Sequence, residues 1–417
     1  MNEQRTSTDT RQDIGPAICF CNSNRAWGGG EKWHLEAALH FARRGYRVFL
    51  AARPGSPLWR EAAALLAAEP ELAAHFKCRA FGFGNLSFLR PGRVKAFAAF
   101  LKNERVTHVI MNLPADLKTV VLAATRNGPG STRLYYRRGS AIAPKRSFLN
   151  RRFFPCLNAV IANSAETAAL VRQAGLLPPE RVVVIYNGLD AAAFDAALGK
   201  AALRPLAEWS EPFSERNPLV IGSAGRLSRQ KAQHYLLHMS AELGRRGFPH
   251  RLLLAGDGEL RGQLLELARK LELDFTWQGE AGEPGGGQVA FTGFLEDMSA
   301  FWRSIDLFVL SSIWEGFGYV LAEAMLARKP LLAFACSNMP ELVKSGENGL
   351  LLPPPGRDDS GNPESDAEVG ARLADKVEEL AMSPTRLRFM GEVGRAFCLR
   401  NFDQGAAMRK LEQLLFS

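Results

Sequence analysis

Two glutamates, Glu315 and Glu323, stand with seven residues between them in the segment Trp314–Met325. The first lies beside a glycine-rich turn and the second within a run of good helix formers, an arrangement that suits binding a polyhydroxylated ligand. Apolar residues surround Glu323 in the sequence, and an unpaired charge among them would be costly. We therefore expect its carboxylate to have a partner. The alternative is that Glu323 is a solvent-facing helical residue and Glu315 a charge at a helix N-terminus.

The elements around these glutamates predict a site at the edge of a sheet. Asp306–Ser312 is typical of a buried parallel strand, and Gly316–Gly318 lets the backbone turn tightly into a helix that ends near Lys329. Glu315 then lies at the carboxyl end of a strand. In open α/β sheets ligands bind at those ends, where the free N–H groups of a helix N-terminus face any phosphate.

Two cationic residues are predicted to lie at the same edge of the sheet. The segment Gly225–Lys231 follows a predicted strand and precedes a helix, so Arg226 and Lys231 lie where a diphosphate can be held. Each charge-assisted contact would contribute about 1.5–3 kcal/mol. Without an anion, two cations at a helix start would be mildly unfavourable against the helix dipole. Gly256 begins another tight turn after the next strand.

A glycine-rich turn, Trp27–Lys32, follows the first predicted strand and opens a helix. Gly29 and Gly30 allow backbone N–H groups to approach a phosphate closely. The spacing matches neither the dinucleotide-binding fingerprint nor the P-loop, and a tight turn without a ligand is the alternative. Asn187, after the last strand of the first half, either forms a turn or lines the wall between the two halves.

Length and composition predict two domains and no membrane-spanning segment. The 417 residues exceed the ~250–300 at which a single core stops growing. We find no run of roughly eighteen apolar residues, and residues 1–13 are polar without a signal-peptide core.

The six cysteines lack zinc-ligand spacing, which fits a reducing cytoplasm. His234 and His238 have helical metal-site spacing but no third ligand, so we expect no metal.

Charge is divided unequally between the halves of the chain. Residues 1–190 hold 27 Lys and Arg against 13 Asp and Glu, whereas residues 191–417 hold 25 against 30. Two basic clusters, at 90–102 and 145–154, interleave aromatic residues with cations, a pattern suited to an anionic membrane surface. The alternative is a solvated helix face packed through its aromatic residues. Nucleic acid is not expected as a partner, because no recognised DNA or RNA motif accompanies the charge.

Strand-like and helical patterns alternate along both halves, which predicts an α/β protein with two tandem Rossmann-like, doubly wound parallel-sheet domains facing across a cleft. Strands are predicted at Pro16–Cys21, Tyr46–Ala51, Thr107–Met111, Arg133–Tyr136, Ala159–Ala162, Val182–Tyr186, Leu219–Gly225, Arg251–Gly256, Val289–Gly293, Leu307–Leu310, Leu331–Phe334 and Gly349–Leu352. The predicted organisation is a disordered tail at 1–14, a first domain at 15–195, a linker at 196–217, a second domain at 218–395, and a C-terminal helix at 396–417 that packs back on the first domain. Residues 279–288 and 353–363 are expected to be loops.

Taken together in order, several segments resemble glycosyltransferase family 4. They are Gly29-Gly30, Tyr186–Asp190, Gly225–Lys231, Ala255–Glu259, Phe291–Phe294, Glu315–Glu323 and Pro340–Gly349. The similarity is strongest over about 182–400. It implies a GT-B fold in which the first domain binds the acceptor and the second binds the nucleotide-sugar. It also implies a retaining mechanism through an oxocarbenium-like state, with no enzymic nucleophile and no metal.

The resemblance also implies roles for individual residues. Arg226 and Lys231 would hold the donor diphosphate and Glu323 the ribose, while Glu315 would meet the transferred sugar. Gly29, Gly30, Asn187, Gly225, Gly256, Phe317 and Gly318 complete the predicted donor site. The acceptor or a membrane is assigned to Lys32, Arg137, Arg138, Lys145, Arg146, Arg151 and Arg152.

The chain departs from the family pattern at three places. Tyr136–Ser140 stands where a histidine near the donor sugar is frequent, so that contact comes from Arg138 or is absent. Ala232 replaces a frequent glycine, and Ser337–Met339 replaces the usual Gly-Gly. These departures bear on the choice of sugar rather than on whether transfer occurs.

The sequence therefore predicts an enzyme that moves a sugar from a nucleotide-sugar to a cell-envelope glycolipid or polysaccharide, as in lipopolysaccharide biosynthesis. We expect it in the cytoplasm, docked on the inner face of the cytoplasmic membrane by its basic first domain. Two alternatives stay open, a nucleotide-sugar epimerase of GT-B fold and a non-catalytic sugar-nucleotide-binding subunit. The nucleotide base, the sugar, the acceptor and the oligomeric state are left undetermined.

Overall fold

The computed structural model describes residues 15–128, 130–200, 217–277, 288–357 and 362–417. These residues form two seven-stranded sheets in which every pairing is parallel. The first sheet contains β1 (Ala17–Asn22), β2 (Arg47–Ala52), β3 (Phe76–Ala80), β4 (His108–Met111), β5 (Arg133–Arg138), β6 (Ala159–Ala162) and β7 (Val182–Val184). The second contains β8 (Leu219–Ala224), β9 (His250–Ala255), β10 (Phe275–Trp277), β11 (Val289–Gly293), β12 (Leu307–Leu310), β13 (Leu331–Phe334) and β14 (Gly349–Leu352). The predicted fold class is confirmed.

Strand order explains where a ligand can bind in each sheet. The first sheet runs β3-β2-β1-β4-β5-β6-β7 and the second runs β10-β11-β9-β8-β12-β13-β14. The order therefore reverses between β1 and β4 in one sheet and between β8 and β12 in the other. Crevices open at the carboxyl ends of strands on either side of such a switch point. The turn after β1 and the segments after β8 and β12 carry the predicted site residues.

Helices cover both faces of each sheet, because successive residues of a buried strand point to opposite sides. In β1, Cys19 and Cys21 pack in one core cluster, whereas Ile18 and Phe20 pack in another. The helices are α1 (Gly29–Arg43), α2 (Pro57–Ala68), α3 (Pro91–Asn103), α4 (Pro114–Arg126), α5 (Phe148–Phe153), α6 (Ala165–Gln173), α7 (Ala191–Lys200), α8 (His234–Arg245), α9 (Arg261–Lys270), α10 (Ser299–Ser304), α11 (Tyr319–Leu326), α12 (Met339–Leu342), α13 (Asp366–Ala381), α14 (Pro384–Asn401) and α15 (Gln404–Phe416). We call each sheet with its helices a lobe.

The C-terminal helix returns to the first lobe. After α14, α15 packs its apolar face, including Leu411, in the core cluster that holds Ile18. Tyr46 donates a 2.8 Å hydrogen bond to Glu412, and the Nε2 atom of His108 lies 2.8 Å from the carbonyl oxygen of Leu415. The chain thus crosses between the lobes twice. The domain boundaries themselves stay predictions.

Three elements were not predicted from the sequence. β3 and β10 are edge strands, the first with only one fully buried residue and the second with none, so neither has a strong apolar pattern. α7 begins in the predicted first domain and runs into the predicted linker, and Phe194 and Leu198 anchor it to the second lobe. The predicted tail, most of the linker and residues 279–287 of the glycine-rich loop lie outside the described residues. Within the described ranges, no helix has the length and apolar character needed to cross a bilayer.

Candidate active site

A cleft of about 1380 Å³ lies between the carboxyl edges of the two sheets. All three residues predicted to be catalytic and all eight predicted to bind the donor line it. Of the seven residues assigned to an acceptor or a membrane, only Lys32 and Arg137 do so. The two glutamates and the two cations of the second lobe therefore face one shared space. Three of these four side chains, however, already form ion pairs.

Lys231 and Glu315 form an ion pair with each other. Their side chains are only 13% and 8% exposed, and Ser312 donates a second hydrogen bond of 2.8 Å to the same Glu315 oxygen. Gly225 is essential to this arrangement, because its backbone has φ +148° and an added Cβ would lie 2.9 Å from Cε of Lys231. The sequence hypothesis placed both residues in the cleft with their charges available to the donor and counted an ion pair among the site residues as evidence against it. The Lys231–Glu315 pair is such an ion pair, so this part of the expectation is not met.

Glu323 also has a partner, which lies in the opposite lobe. Its carboxylate is 3.4 Å from Nζ of Lys32, and the Lys32 ammonium lies 4.9 Å from the centre of the Tyr319 ring. Because α11 points this residue into the cleft, it is not a solvent-facing helical glutamate. A ribose at Glu323 would compete with Lys32 for the same carboxylate.

Arg226 is exposed at the cleft and donates a 3.3 Å hydrogen bond to the carbonyl oxygen of Trp27. It therefore reaches from the second lobe to the glycine-rich turn of the first. No acidic side chain pairs with Arg226 among the residues that the structure describes. This guanidinium keeps donors for an anion, as its predicted role requires.

Glycines let the two lobes approach closely. A Cβ on Gly29 would lie 2.9 Å from the Tyr319 ring, and one on Gly316 would overlap the carbonyl oxygen of Gly139. Within the first lobe, a Cβ added to Gly30 would lie 2.7 Å from the side-chain nitrogen of Asn112. The glycine-rich turn thus has a structural role in lobe contact, whether or not its N–H groups also meet a phosphate. The described arrangement is a closed one.

Arg137 lies inside the cleft and is only 4% exposed. Its guanidinium donates to the Asn112 and Asn187 side chains at 3.2 and 3.0 Å and lies over the Trp33 ring. Asn187 therefore lines the interdomain wall, one of its two predicted roles. β5 extends two residues further than predicted and buries Arg138 as well, which bonds the Ile142 carbonyl and does not line the cleft. Neither arginine is on a surface that a membrane can reach.

At the two places where this chain lacks the family's glycine, the backbone still has the conformation that glycine favours. Ala232 has φ +48° and Ser337 has φ +50°, which is the left-handed region. Next to Ser337, Asn338 is buried and donates to the carbonyl oxygen of Phe317. The substituted segment therefore supports the turn that carries Glu315.

Glu341 does not line the cleft but joins the two lobes beside it, a role that the sequence did not indicate. From the second lobe, its carboxylate accepts hydrogen bonds from the backbone N–H groups of Ala165 and Glu166 at 2.8 and 2.9 Å, at the start of α6 in the first lobe. Tyr186 donates to it as well, at 2.8 Å. A carboxylate at a helix N-terminus is favourable. The presence of Glu341 in the family-like segment Pro340–Gly349 was the only sequence indication of its importance. Its partner helix is distant in sequence, so the contact itself could not be predicted.

Two carboxyl groups of α1, the buried Glu31 and the partly buried Glu36, lie beneath the cleft. Glu31 accepts from the side-chain amides of Asn22 and Asn112 at 3.1 and 3.3 Å. Burial raises the pKa of Glu36 to about 7, although the nearby Lys32 ammonium opposes that rise. No group of three or more His, Cys, Asp or Glu among the described residues could hold a metal ion.

Comparison with known proteins gives a consistent result. The description of glycosyltransferase family 4 matches residues 27–193, and that of glycosyl transferases group 1 matches residues 218–361. The lipopolysaccharide core biosynthesis glycosyltransferase LpsE of Rhizobium meliloti is 26% identical over 400 residues, which cover 94% of this chain and 96% of LpsE. The uncharacterised glycosyltransferase MJ1607 of Methanocaldococcus jannaschii is 28% identical over 186 residues, so the match spans 42% of that relative.

Among solved structures, Alr3699/HepE of Anabaena in complex with UDP and glucose superimposes with a TM-score of 0.71 at 23% identity, covering 96% of this chain and 99% of HepE. Two parallel-sheet lobes around a cleft of this kind define the GT-B class of glycosyltransferases. The chain belongs to glycosyltransferase family 4, as its sequence predicts.

Proposed function

We propose that the protein transfers a sugar from a nucleotide-sugar donor to a glycan acceptor of the cell envelope, with retention of configuration at the transferred carbon. The observation that carries the proposal is the convergence of Arg226, Lys231, Glu315 and Glu323 on a cleft whose opposite wall holds the glycine-rich turn. The match to LpsE along almost the whole chain supports an envelope acceptor.

In this proposal the donor diphosphate lies against Arg226 and Lys231, and the ribose hydroxyls bind Glu323. Lys231 has three N–H donors, so it can retain Glu315 while another proton meets a phosphate oxygen. The ribose takes the place of Lys32 at Glu323. Arg226 supplies unpaired positive charge for the leaving group, and Lys231 adds an N–H donor while its own charge stays balanced by Glu315. The proposal requires no metal ion. HepE with bound UDP supports a uridine nucleotide as the first donor to test.

The chemical step breaks the bond between the sugar C1 and the diphosphate oxygen, and both electrons leave with the diphosphate. The acceptor hydroxyl oxygen bonds C1 on the same face, and its proton passes to the departing phosphate oxygen. Negative charge grows on the diphosphate, where preorganised cations stabilise it most. Closed lobes exclude water and limit hydrolysis of the donor. Glu315, held by Ser312 and Lys231, lies where it can bind hydroxyls of the transferred sugar.

The test is a panel of UDP-, GDP- and ADP-sugars, with thermal unfolding and nucleotide release measured together. A donor that binds only the native protein raises the unfolding temperature by mass action. We expect one nucleotide series to do so and to release free nucleoside diphosphate when a glycan acceptor is added. Regeneration of intact, epimerised donor would instead identify an epimerase. Binding without turnover would identify a sugar-nucleotide-binding subunit.

We also propose that the protein works on the inner face of the cytoplasmic membrane. The excess of Lys and Arg in the first 190 residues supports an anionic surface as its partner. This localisation would be contradicted by equal pelleting of the protein with neutral and anionic vesicles.

A further inference from the structure

Two segments of the first lobe are strongly basic, although one of their cations, Arg79, pairs with Glu104 just outside them. Residues 72–103 and 117–165 contain 15 Lys and Arg and no Asp or Glu. Arg90, Lys145, Arg151 and Arg152 of these segments are exposed. None of the four forms an ion pair with any residue that the structure describes. A cluster of unpaired cations at the surface attracts an anionic partner.

The same segments expose large apolar side chains. Leu86, Leu89, Ile142 and Phe148 are between 63% and 83% exposed. Among the described residues, ten large apolar side chains are exposed in all, and three of those line the cleft. Four of the remaining seven therefore lie on these two segments. Scattered exposed apolar residues need no explanation, but a concentration beside unpaired cations does.

The two segments pack against each other. Phe88, between the two exposed leucines, meets Phe153 of α5 edge to face with ring centroids 6.4 Å apart. Lys118 of α4 lies 5.2 Å from the centre of the Phe88 ring. The turn at 86–89 and the short helix α5 are thus one surface, which we call the α5 face. Its buried aromatic residues fix the backbone while Leu86, Leu89 and Phe148 remain outside.

The α5 face is joined directly to the cleft. Gly139 lines the cleft opposite Gly316, and the chain runs from there through residues 140–147 to the start of α5. Arg138 donates to the Ile142 carbonyl and so anchors the first part of this connection. The chain from Gly139 to Phe148 spans at most roughly 32 Å, so the start of α5 lies within that distance of the cleft wall.

We propose that the α5 face inserts Leu86, Leu89 and Phe148 into an anionic bilayer, and that the acceptor is a lipid-linked glycan presented from that bilayer to the cleft. Cations at the rim meet lipid phosphates while the apolar side chains enter the acyl boundary. A soluble acidic protein would account for the cations but not for the apolar tips. The acceptor part of this inference rests on the proposed transferase function, whereas the docking part does not.

The test compares vesicles of phosphatidylcholine with and without phosphatidylglycerol, using the full chain. The variant is Leu86→Ser/Leu89→Ser/Phe148→Ser, and the matched control is Met382→Ser/Phe389→Ser in the second lobe, whose side chains are 85% and 66% exposed. We expect the wild type and the control to bind anionic vesicles, and the triple variant to bind at least about tenfold less, since each lost side chain removes apolar burial. Higher salt should weaken wild-type binding.

Enzyme assays distinguish membrane docking from the use of a lipid-linked acceptor. With the donor found by the panel, the triple variant should lose turnover of a vesicle-borne glycolipid but keep turnover of its detergent-free, water-soluble headgroup. Failure of the wild type to bind protein-free anionic vesicles, or equal binding by the triple variant, would overturn the docking surface. If the triple variant lost turnover equally on the vesicle-borne glycolipid and on the soluble headgroup, the proposal of a lipid-linked acceptor would be overturned. Vesicle binding without any sugar transfer would reject the transferase function and leave docking intact.

Discussion

Lys231 and Glu315 neutralise each other inside the cleft, at the place where a diphosphate and a sugar would meet. The pair is buried, and Ser312 holds the same glutamate oxygen. Donor binding is therefore an exchange of contacts rather than the filling of a vacant cationic site. The pair fixes both side chains before the donor arrives, so little reorganisation is left for the chemical step.

This pairing makes a prediction about stability. Lys231→Met leaves the Glu315 carboxylate buried without its cation, which should lower the unfolding free energy by about 3–5 kcal/mol. Adding Glu315→Gln should recover most of that loss, because no buried charge then remains. Denaturant unfolding of the wild type, both single variants and the double variant measures the coupling. A double variant as unstable as the sum of the singles would contradict the buried pair.

The ion pair between Lys32 and Glu323 predicts opposite effects of its two members on donor binding. Glu323→Gln should weaken donor affinity about 10- to 100-fold, because a charge-assisted contact to the ribose is lost. Lys32→Met should leave affinity unchanged or strengthen it, because it removes a competitor for the carboxylate. Isothermal titration with the nucleotide-sugar measures both. Equal weakening in the two variants would mean that Lys32 itself holds the donor.

Close lobe contact depends on Gly316. A side chain there would overlap the Gly139 carbonyl oxygen, so Gly316→Ala should keep the lobes apart and lower kcat at least about tenfold. The unfolding temperature should change little, because each lobe has its own core. Gly262→Ala is the matched control, since nothing lies within 4 Å of its added Cβ. Wild-type kcat in Gly316→Ala would show that this closed contact is not needed for turnover.

Glu341 is expected to stabilise the closed arrangement from the side opposite the glycines. Glu341→Gln removes the charge that meets the start of α6, and Tyr186→Phe removes one donor while keeping the ring against Phe402. Both should lower kcat/KM, and a double-mutant cycle should give a coupling of about 0.5–3 kcal/mol. Strictly additive effects would show that the two residues do not act through their hydrogen bond.

Glu36 predicts a change of stability with pH. Its pKa is raised by burial from 4.5 to about 7 in the folded protein, so the folded state holds the proton more tightly than the unfolded state. The contribution to stability is complete below about pH 4.5 and is lost as the pH rises to about 7. Glu36→Gln should escape this loss, and its advantage over wild type should grow by at most about 3 kcal/mol across that window. The measurement is the unfolding free energy of both proteins as a function of pH. Parallel curves for wild type and Glu36→Gln would contradict the raised pKa of Glu36.

Much of this arrangement could be predicted from the sequence because it depends on local patterns. Apolar runs gave β11, β12, β13 and β14 their ends to the residue, and glycines after strands located the turns that carry Arg226 and Glu315. The edge strands β3 and β10 gave no such signal, since an edge needs few buried residues.

The partners of the site residues could not be predicted, because they are set by distant parts of the chain. Lys32 and Glu323 are 291 positions apart, and Glu341 meets a helix 175 positions away. A sequence pattern shows that a carboxylate needs a partner but not which cation supplies it. Arg137 was assigned to an acceptor or a membrane on its charge alone, and only the length of β5 places it inside the cleft.

The most direct test of the account is a structure of the protein with the nucleotide-sugar that the panel identifies. We expect the diphosphate oxygens within hydrogen-bond distance of Arg226 and Lys231, the ribose hydroxyls on Glu323 in place of Lys32, and the sugar beside Glu315. A donor bound elsewhere, or one whose diphosphate leaves both cations untouched, would contradict the central claim.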